Sequence, residues 1–301
     1  MINGWLIYDK EKAEENHSYI DWFISEASQQ DVLLSLIYRE DLLIGISNDQ
    51  PIIKWKGEFV SFPDFAVIRT IDTLLSKQLE FIGIHVFNSS AISYMANNKA
   101  MTHLAIQRLG IPMLDSFFLR KEDALHGQPP IDFPFVLKEP HGRGGSQVFL
   151  IEDISMFDQS IPYIDSDYMV IQSCKVQLGK DIRVFVVGKK IIGAVLRKSD
   201  KDFRANYKLG GSAEAYVLSE KEQSQIERII ASFKFGMVGI DFLLDEKGTL
   251  LFNEIEDIVG SRTLSAVSDV NILKIYIQHI KDELNRNQAG TEEFYQKKSE
   301  L

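Results

Sequence analysis

Over its first ninety or so residues the chain alternates short apolar runs with stretches of helical periodicity, and this alternation constrains the fold more than any other feature. Gly4–Tyr8 and Val32–Tyr38 read as buried strands. Between them, Glu11 to about Gln30 sets Tyr19, Trp22, Phe23 and Ala27 at helical spacing. Leu42–Ile46 and Ile52–Trp55 form a hairpin pattern around Ser47–Pro51, and Phe65–Arg69, a helix near Ile71–Phe81 and His85–Asn88 complete the unit. Strands that alternate with helices favour a mainly parallel open sheet, which places ligands beyond the carboxyl ends of its strands. Arg69 stands at such an end, either facing a ligand or pairing at the surface.

The pattern then changes. Ser90–Leu109 reads as one helix, stopped by Gly110 and Pro112, and Asp123–Pro134 as a polar loop. Phe135–Glu139 and Gln147–Glu152 are strands that flank a Gly-rich turn. From about Met169 the pattern is antiparallel. A hairpin over Ile182–Val187 and Ile191–Leu196 is followed by a helix from Ser219 to about Phe235 and a last hairpin, Val238–Leu244 with Leu250–Glu256. Asn271 to about Asn287 is helical and the remainder a polar tail. At 301 residues, 45% hydrophobic and 25% charged, two or three domains with real cores are expected. The single cysteine, Cys174, excludes an internal disulfide and points to a reducing compartment. A net charge of −10 argues against a nucleic-acid partner. With no apolar run of about 20 residues and no signal pattern in MINGWLIYDK, no membrane contact and a cytoplasmic location are expected.

Three clusters could carry chemistry. In the last hairpin, a four-residue turn at Asp245–Gly248 sets Leu244 opposite Thr249 and Asp241 opposite Phe252. Asp241 then lies diagonally across from Glu254, which shares a face with Glu256. Three carboxylates on one face repel unless a cation lies between them, and hard oxygen ligands suit Mg²⁺; a one-residue slip removes the argument, and a solvated acidic face is the plain alternative. The second cluster is Lys138 with the turn His141–Ser146, where Gly142, Gly144, Gly145 and Ser146 let backbone amides approach phosphate oxygens, or simply make a hairpin turn. The third comprises Asp181, Arg183, Arg197, Asp202, Arg204 and Asn206 beside Gly210-Gly211: an anion site, or ordinary ion pairs. The six histidines show no metal-ligand spacing.

These clusters, in this order, resemble the ATP-grasp superfamily, and most closely RimK-like carboxylate–amine ligases. The likeness spans about Asn88 to Gly260. It rests on Asn98-Lys99 with Leu109-Gly110-Ile111-Pro112, on Phe135-Val136-Leu137-Lys138 and on Val170-Ile171-Gln172. It continues through Asp181-Ile182-Arg183-Val184-Phe185-Val186-Val187-Gly188, Asp202-Phe203-Arg204-Ala205-Asn206 with Gly210-Gly211, and Gly239-Ile240-Asp241 with Glu254. The fold it implies is α/β, of the α+β ATP-grasp kind: an N-terminal open α/β pre-ATP-grasp domain (1–89), a central subdomain with the Gly-rich lid (90–170), a C-terminal subdomain with the metal site (171–287) and a polar tail (288–301).

The resemblance further implies that Lys99, Lys138, the turn and Gln172 contact ATP, with Asp181, Arg197 and Asn206 in the same binding set. Arg204 and Arg183 are implied as catalytic cations, Asp241, Glu254 and Glu256 as ligands of two Mg²⁺ (or Mn²⁺) ions, and Arg69 and Arg262 as contacts to a substrate carboxylate. The implied reaction joins a carboxylate and an amine, on a small molecule, a peptide or a polypeptide terminus, through an acyl phosphate, releasing ADP and phosphate. A homo-oligomer is compatible with the composition. The chain departs from the family where Glu254-Ile255-Glu256 replaces Glu-x-Asn, where Ser173 replaces a common Glu, and where Val259-Gly260 replaces Pro-Gly before Ser261-Arg262. The extra carboxylate at Glu256 motivates one alternative, a regulatory module that binds ATP without ligation.

Overall fold

Alternate side chains of β1 (Ile2–Tyr8) enter two different cores. Leu6 and Tyr8 join a cluster with Phe23 and Tyr276, and Trp5 and Ile7 join another with Leu75 and Leu79. A strand buried on both faces belongs inside a parallel sheet. In the computed structural model, which describes residues 1–125, 127–205 and 211–299, β1 pairs in parallel with β2 (Val32–Tyr38) and β6 (Phe65–Ile68). β7 (His85–Phe87) completes the order β2-β1-β6-β7. A separate antiparallel meander, β3 (Leu42–Ser47), β4 (Gln50–Trp55) and β5 (Glu58–Phe59), covers part of one face through Leu42 and Ile53.

Two expected helices are each broken in the middle. The first becomes Lys10–Glu15 and His17–Ser28, parted at Asn16, and the second becomes Ser90–Ala96 and Lys99–Gln107, parted at Asn97-Asn98. Asparagine competes for backbone hydrogen bonds and favours caps over helix interiors. The Asn16 amide turns back to the carbonyl of Lys12 (2.7 Å), and the Asn98 side chain accepts from Met101 N (3.1 Å). The second break makes Lys99 the first residue of a new helix. The first two residues of the expected loop Asp123–Pro134 belong to a short helix, Lys121–Ala124, and the last helix runs on from Ile272 to Ser299, past Asn287.

Two antiparallel sheets follow. The first has the order β10-β9-β11-β8, made by β8 (Ser116–Arg120), β9 (Phe135–Lys138), β10 (Val148–Ile151) and β11 (Tyr168–Ser173). The second has the order β14-β13-β12-β15-β16, from β12 (Lys180–Val187), β13 (Lys190–Lys198), β14 (Ser212–Tyr216), β15 (Met237–Leu244) and β16 (Leu250–Glu256). One face of this second sheet, with Ile182, Val184, Ile240 and Phe242, packs on the helix Glu220–Ser232. Phe185, Val187 and Val195 reach the core shared with β1 and the helix that starts at Ile272. No helix among the described residues is long and apolar enough to cross a membrane.

Asn88, just past β7, ties the N-terminal sheet to this last one. Its buried amide donates to the carbonyls of Met237 and Asp257 (2.9 Å each) and accepts from Gly236 N (2.6 Å). Truncation strands three buried backbone groups. Asn88→Ala is therefore expected to lower the unfolding free energy by about 2–4 kcal/mol, read from urea denaturation. A loss below about 1 kcal/mol would show that the two blocks are held together elsewhere.

Candidate active site

The polar face of the second antiparallel sheet carries a stripe of charge across four strands. Arg183 on β12 faces Asp241 on β15, Asp181 faces Arg197 on β13, and Asp241 faces Glu254 on β16. Arg183 grips Asp241 in bidentate fashion (Nε to Oδ1 2.8 Å, Nη2 to Oδ2 2.7 Å) and its Nη1 pairs with Glu256. Arg197 grips Asp181 (2.5 and 2.7 Å) and also donates to Asp241 Oδ2 (2.7 Å). Burial raises the pKa of Asp241, but the two guanidinia outweigh it and hold the carboxyl at about 2. Asp181 is pushed up by burial and by Asp241, against the pull of Arg197. Glycine is required beneath this cluster, since a Cβ on Gly239 would stand 2.8 Å from Val259 Cγ2 and 3.3 Å from Arg183 Cδ.

A β-bulge sets the rest of the site. Phe242 pairs with Phe252 and Asp241 with Glu254, which leaves Asn253 as the extra residue. The expected register, Asp241 opposite Phe252 and Leu244 opposite Thr249, is thus corrected; Leu244 faces Leu250, because Asp245 closes the turn on the Thr249 carbonyl (3.0 Å). The bulge keeps Phe252 in the apolar core and Glu254 out of it. It also frees the Asn253 side chain to accept from Lys138 Nζ (2.8 Å), which donates as well to Gln172 Oε1 (2.6 Å). Lys138 is 8% exposed and among the described residues has only these neutral oxygens as hydrogen-bond partners, so burial, with Lys99 adding to it and Glu254 opposing, brings its pKa down to about 8. His103 Nε2 lies 2.9 Å from the Asn253 carbonyl, and burial drives its pKa down to about 4. The neutral ring therefore donates to that carbonyl and steadies the bulge.

The Gly-rich turn closes over this corner. Lys99 donates to the Gly142 carbonyl and lies 3.9 Å from Glu254; burial lowers its pKa. Arg204 is gripped by Asp202 (2.9 and 2.7 Å) and donates to the Gly145 carbonyl. Ser146 Oγ bonds within the turn, to the Arg143 carbonyl (2.7 Å), and Gly144 and Gly145 both adopt positive φ. Arg143 reaches Asp257 (2.6 Å) and Asn97, fastening the turn to the end of β16. A pocket forms between these elements, lined by Asn97, Lys99, Gly142, Arg143, Glu254 and Glu256.

The expected site residues therefore divide. Lys99, Lys138, Gln172, the turn, Arg204 and Glu254 gather at one corner. Gln172 serves there as an acceptor for Lys138 and a donor to Ser116 Oγ (3.1 Å). Asp181 and Arg197 lie in the closed ion-pair cluster, which explains them without a ligand. The three expected metal carboxylates are parted: Asp241 is held by two arginines, Glu256 by Arg183, and Glu254 faces Lys99. No group of three His, Cys, Asp or Glu side chains among the described residues is arranged to hold a metal ion. Asn206 lies outside the described residues, Arg262 is exposed at the start of the helix Arg262–Val267, and Arg69 is not among the residues that line the pocket. Asn253 and the Arg143–Asp257 pair went unassigned in the sequence, since a bulge leaves no composition signal; only Arg143 lay inside the Gly-rich segment.

A family model described as RimK-like ATP-grasp domain matches residues 96–280. The chain is 26% identical over 237 residues to a glutamate–LysW ligase, ArgX, of Sulfurisphaera tokodaii, covering 74% of this chain and 83% of that one. It is 27% identical over 232 residues to a probable alpha-L-glutamate ligase of Xanthomonas euvesicatoria, covering 74% and 77%. In structure it superposes on the ATP-grasp ligase PsnB, solved with a precursor variant, Mg and ADP, with a TM-score of 0.69 and 14% identity over 93% of this chain and 98% of that one.

Removing one partner from a buried ion-pair cluster leaves an uncompensated charge. Asp241→Asn is expected to cost about 3–5 kcal/mol at neutral pH, measured by denaturant unfolding. The carboxyl is held at about 2 against an ordinary 3.8, so its stabilisation is complete above about 4 and fades as pH falls towards 2. The gap between wild type and variant should narrow over that range by about 2 kcal/mol, and a pH-independent gap would place the effect in packing instead.

Proposed function

The chain belongs to the RimK-like ATP-grasp family, and we propose from that premise that the corner around Lys138 holds the triphosphate of ATP beneath the Gly-rich turn. It is an ATP-dependent carboxylate–amine ligase. One observation carries the proposal for the site: two buried ammonium groups, Lys99 and Lys138, come from different elements and face the same carboxylate, Glu254, under a turn whose carbonyls already engage Lys99 and Arg204. We take 1–89, 90–170 and 171–287 as the working domains, with ATP between the second and third and 288–301 as a tail.

In this reading a substrate carboxylate attacks the γ-phosphorus, ADP leaves, and an amine displaces phosphate from the acyl phosphate to give the amide. The protein contributes position and charge. Lys138 and Lys99 meet phosphate oxygens as point charges, exchanging neutral oxygens for anionic ones. Arg204, and Arg183 through its outer edge beside Glu256, offset charge that develops on the acyl phosphate and on the tetrahedral intermediate. The Gly142–Ser146 turn, fastened through Arg143, excludes water that would hydrolyse the acyl phosphate.

The donor set suits a hard divalent cation. Among the described residues Glu254 meets no cation closer than Lys99 at 3.9 Å, while Glu256 Oε2 already faces Arg183 Nη1 and would be shared between that arginine and the ion. Mg²⁺ (or Mn²⁺) would be held by Glu254 and Glu256 together with phosphate oxygens, and Asp241 would join once Arg183 and Arg197 release an oxygen to it. When bound it neutralises the β- and γ-oxygens. The family uses ATP and Mg²⁺; we infer two ions, since the triphosphate and three carboxylates carry charge enough for both. Two of the relatives are named for glutamate, so we propose L-glutamate as the amino-acid partner, joined to a small molecule, a peptide or a polypeptide terminus.

The test is ADP release with glutamate against panels of amino acids, peptides and cell extract; absence of both ADP and a new amide from every pool would overturn the substrate proposal. Glu254→Gln is expected to lower turnover at least a hundredfold with nucleotide affinity within a few-fold, by stopped-flow assay and calorimetry. Lys138 binds an anion best when protonated. Nucleotide affinity should therefore fall as pH rises through about 8, by up to tenfold per unit above it, and Lys138→Met should bind more weakly at pH 7 and lose the slope. The fold itself disfavours this ammonium, so between about 8 and the ordinary 10.5 wild-type stability should rise with pH. A variant that keeps the wild-type pH profile would remove Lys138 from the phosphate site.

A further inference from the structure

Arg69 follows β6 at the carboxyl end of the parallel sheet, and its guanidinium is enclosed by tyrosines. The centre lies 5.4 Å from the Tyr19 ring and 6.0 Å from the Tyr8 ring. Among the described residues its hydrogen bonds all go to neutral oxygens. Nε donates to the Tyr8 hydroxyl (3.2 Å), and Nη1 and Nη2 both donate to the Val259 carbonyl (3.1 Å each). A guanidinium has five N–H groups, so one on each terminal nitrogen is left over.

The titratable groups that face it are Tyr8, Tyr19 and Tyr276, and among the described residues no carboxylate pairs with it. Asp9, at the neighbouring strand end, accepts instead from Thr70 Oγ1 (2.6 Å). The Tyr19 hydroxyl is buried beside the Ser261 side chain, which interacts with it, and the Thr263 hydroxyl four residues past Val259 is buried without a hydrogen-bond partner among the described residues. Buried charges are ordinarily paired, and ring faces offset only part of the cost. Arg69 thus keeps a full unit of uncompensated positive charge at the junction of the N-terminal sheet with the segment that leaves β16. Val259 is three residues beyond Glu256, which lines the pocket, so the two lie within about 10 Å of each other.

We propose that Arg69, with the Tyr19 hydroxyl beside it, receives a substrate carboxylate other than the one activated on ATP, and so selects an amino acid by its carboxylate. The inference rests on the ligase reading above. The carboxylate is the α-group or the side-chain group of the amino-acid partner, and the two are separable by their amides.

The test measures binding of L-glutamate, its α-amide and its γ-amide to the full chain by calorimetry, with a nonhydrolysable ATP analogue and Mg²⁺ present. The proteins are wild type, Arg69→Lys and Arg69→Met. Wild type is expected to bind glutamate at least tenfold tighter than one of the two amides, and the identity of that amide names the carboxylate. Arg69→Met should bind glutamate and that amide alike, and Arg69→Lys should keep a reduced preference, with nucleotide affinity within twofold in both. If Arg69→Met fails to fold, a threefold or greater fall of the preference in Arg69→Lys carries the result. A wild type that does not discriminate, variants that keep the wild-type ratio, or no binding of any of the three probes would each overturn the site. Arg69-dependent glutamate binding without ADP release would sink glutamate ligation and keep the site. Ligation with the ratio unchanged in the variants would do the reverse.

Discussion

The bidentate pair between Arg183 and Asp241 is the contact on which the charged face of the C-terminal sheet depends. Asp241 is 1% exposed, and an isolated carboxylate there would be untenable. Two arginines and two aspartates from three strands close into a neutral cluster, and Glu256 extends it towards the pocket. Two of the pairs, Arg183–Asp241 and Asp181–Arg197, join residues directly opposite one another on neighbouring strands, and the other two reach across an intervening strand. Charge pairing and strand register therefore specify the same alignment, and a slip of one residue would bury the charges in the apolar core and expose that core to solvent. Buried ion pairs add little stability relative to apolar packing. What this cluster supplies is a fixed register for the strands that carry Glu254 and Glu256.

The bulge at Asn253 is the second device that the site needs. A regular strand would point Phe252 and Glu254 to the same side, mixing core and pocket. One extra residue separates them, and the Asn253 carbonyl and amide are each taken up, by His103 and by Lys138. The acidic strand is thereby tied to a helix and to another sheet through neutral groups alone, which leaves the charge of Lys138 uncompensated by any ion pair.

Much of this was legible from the amino acids. β2 falls where the apolar run Val32–Tyr38 lies, and the pairs of strands around the Gly-rich turn and in the two later hairpins follow from alternation and turn residues. The parallel sheet follows from the order of strands and helices. The helix breaks at Asn16 and Asn97-Asn98 escaped because asparagine is a weak helix residue and not a stop, so periodicity carries across it. The gathering of Lys99, Lys138 and Glu254 came from the resemblance, since residues this far apart in the chain, Glu254 more than a hundred positions from either lysine, leave no local trace of contact. The destination of Arg183 escaped for a different reason: a Mg²⁺ ion and a guanidinium answer the same need of Asp241, and sequence alone does not distinguish them.

A common rule separates the cations of this chain. Arg183 and Arg197 are neutralised by carboxylates and build the sheet. Among the described residues, Lys138 and Arg69 are bound only by amide, carbonyl and hydroxyl oxygens, and keep their charge. A cation paired with a carboxylate must break that pair to take an anionic ligand, whereas one held by neutral oxygens gives up a weaker partner for a stronger one. Neutral cages around buried cations are therefore costly to fold and inexpensive to convert to ligand contacts, and that is the expected signature of groups kept for binding. Lys99 sits between the two classes, with a carbonyl as its hydrogen-bond partner and Glu254 only at 3.9 Å, as a residue would that must meet both a phosphate and the carboxylate beside it.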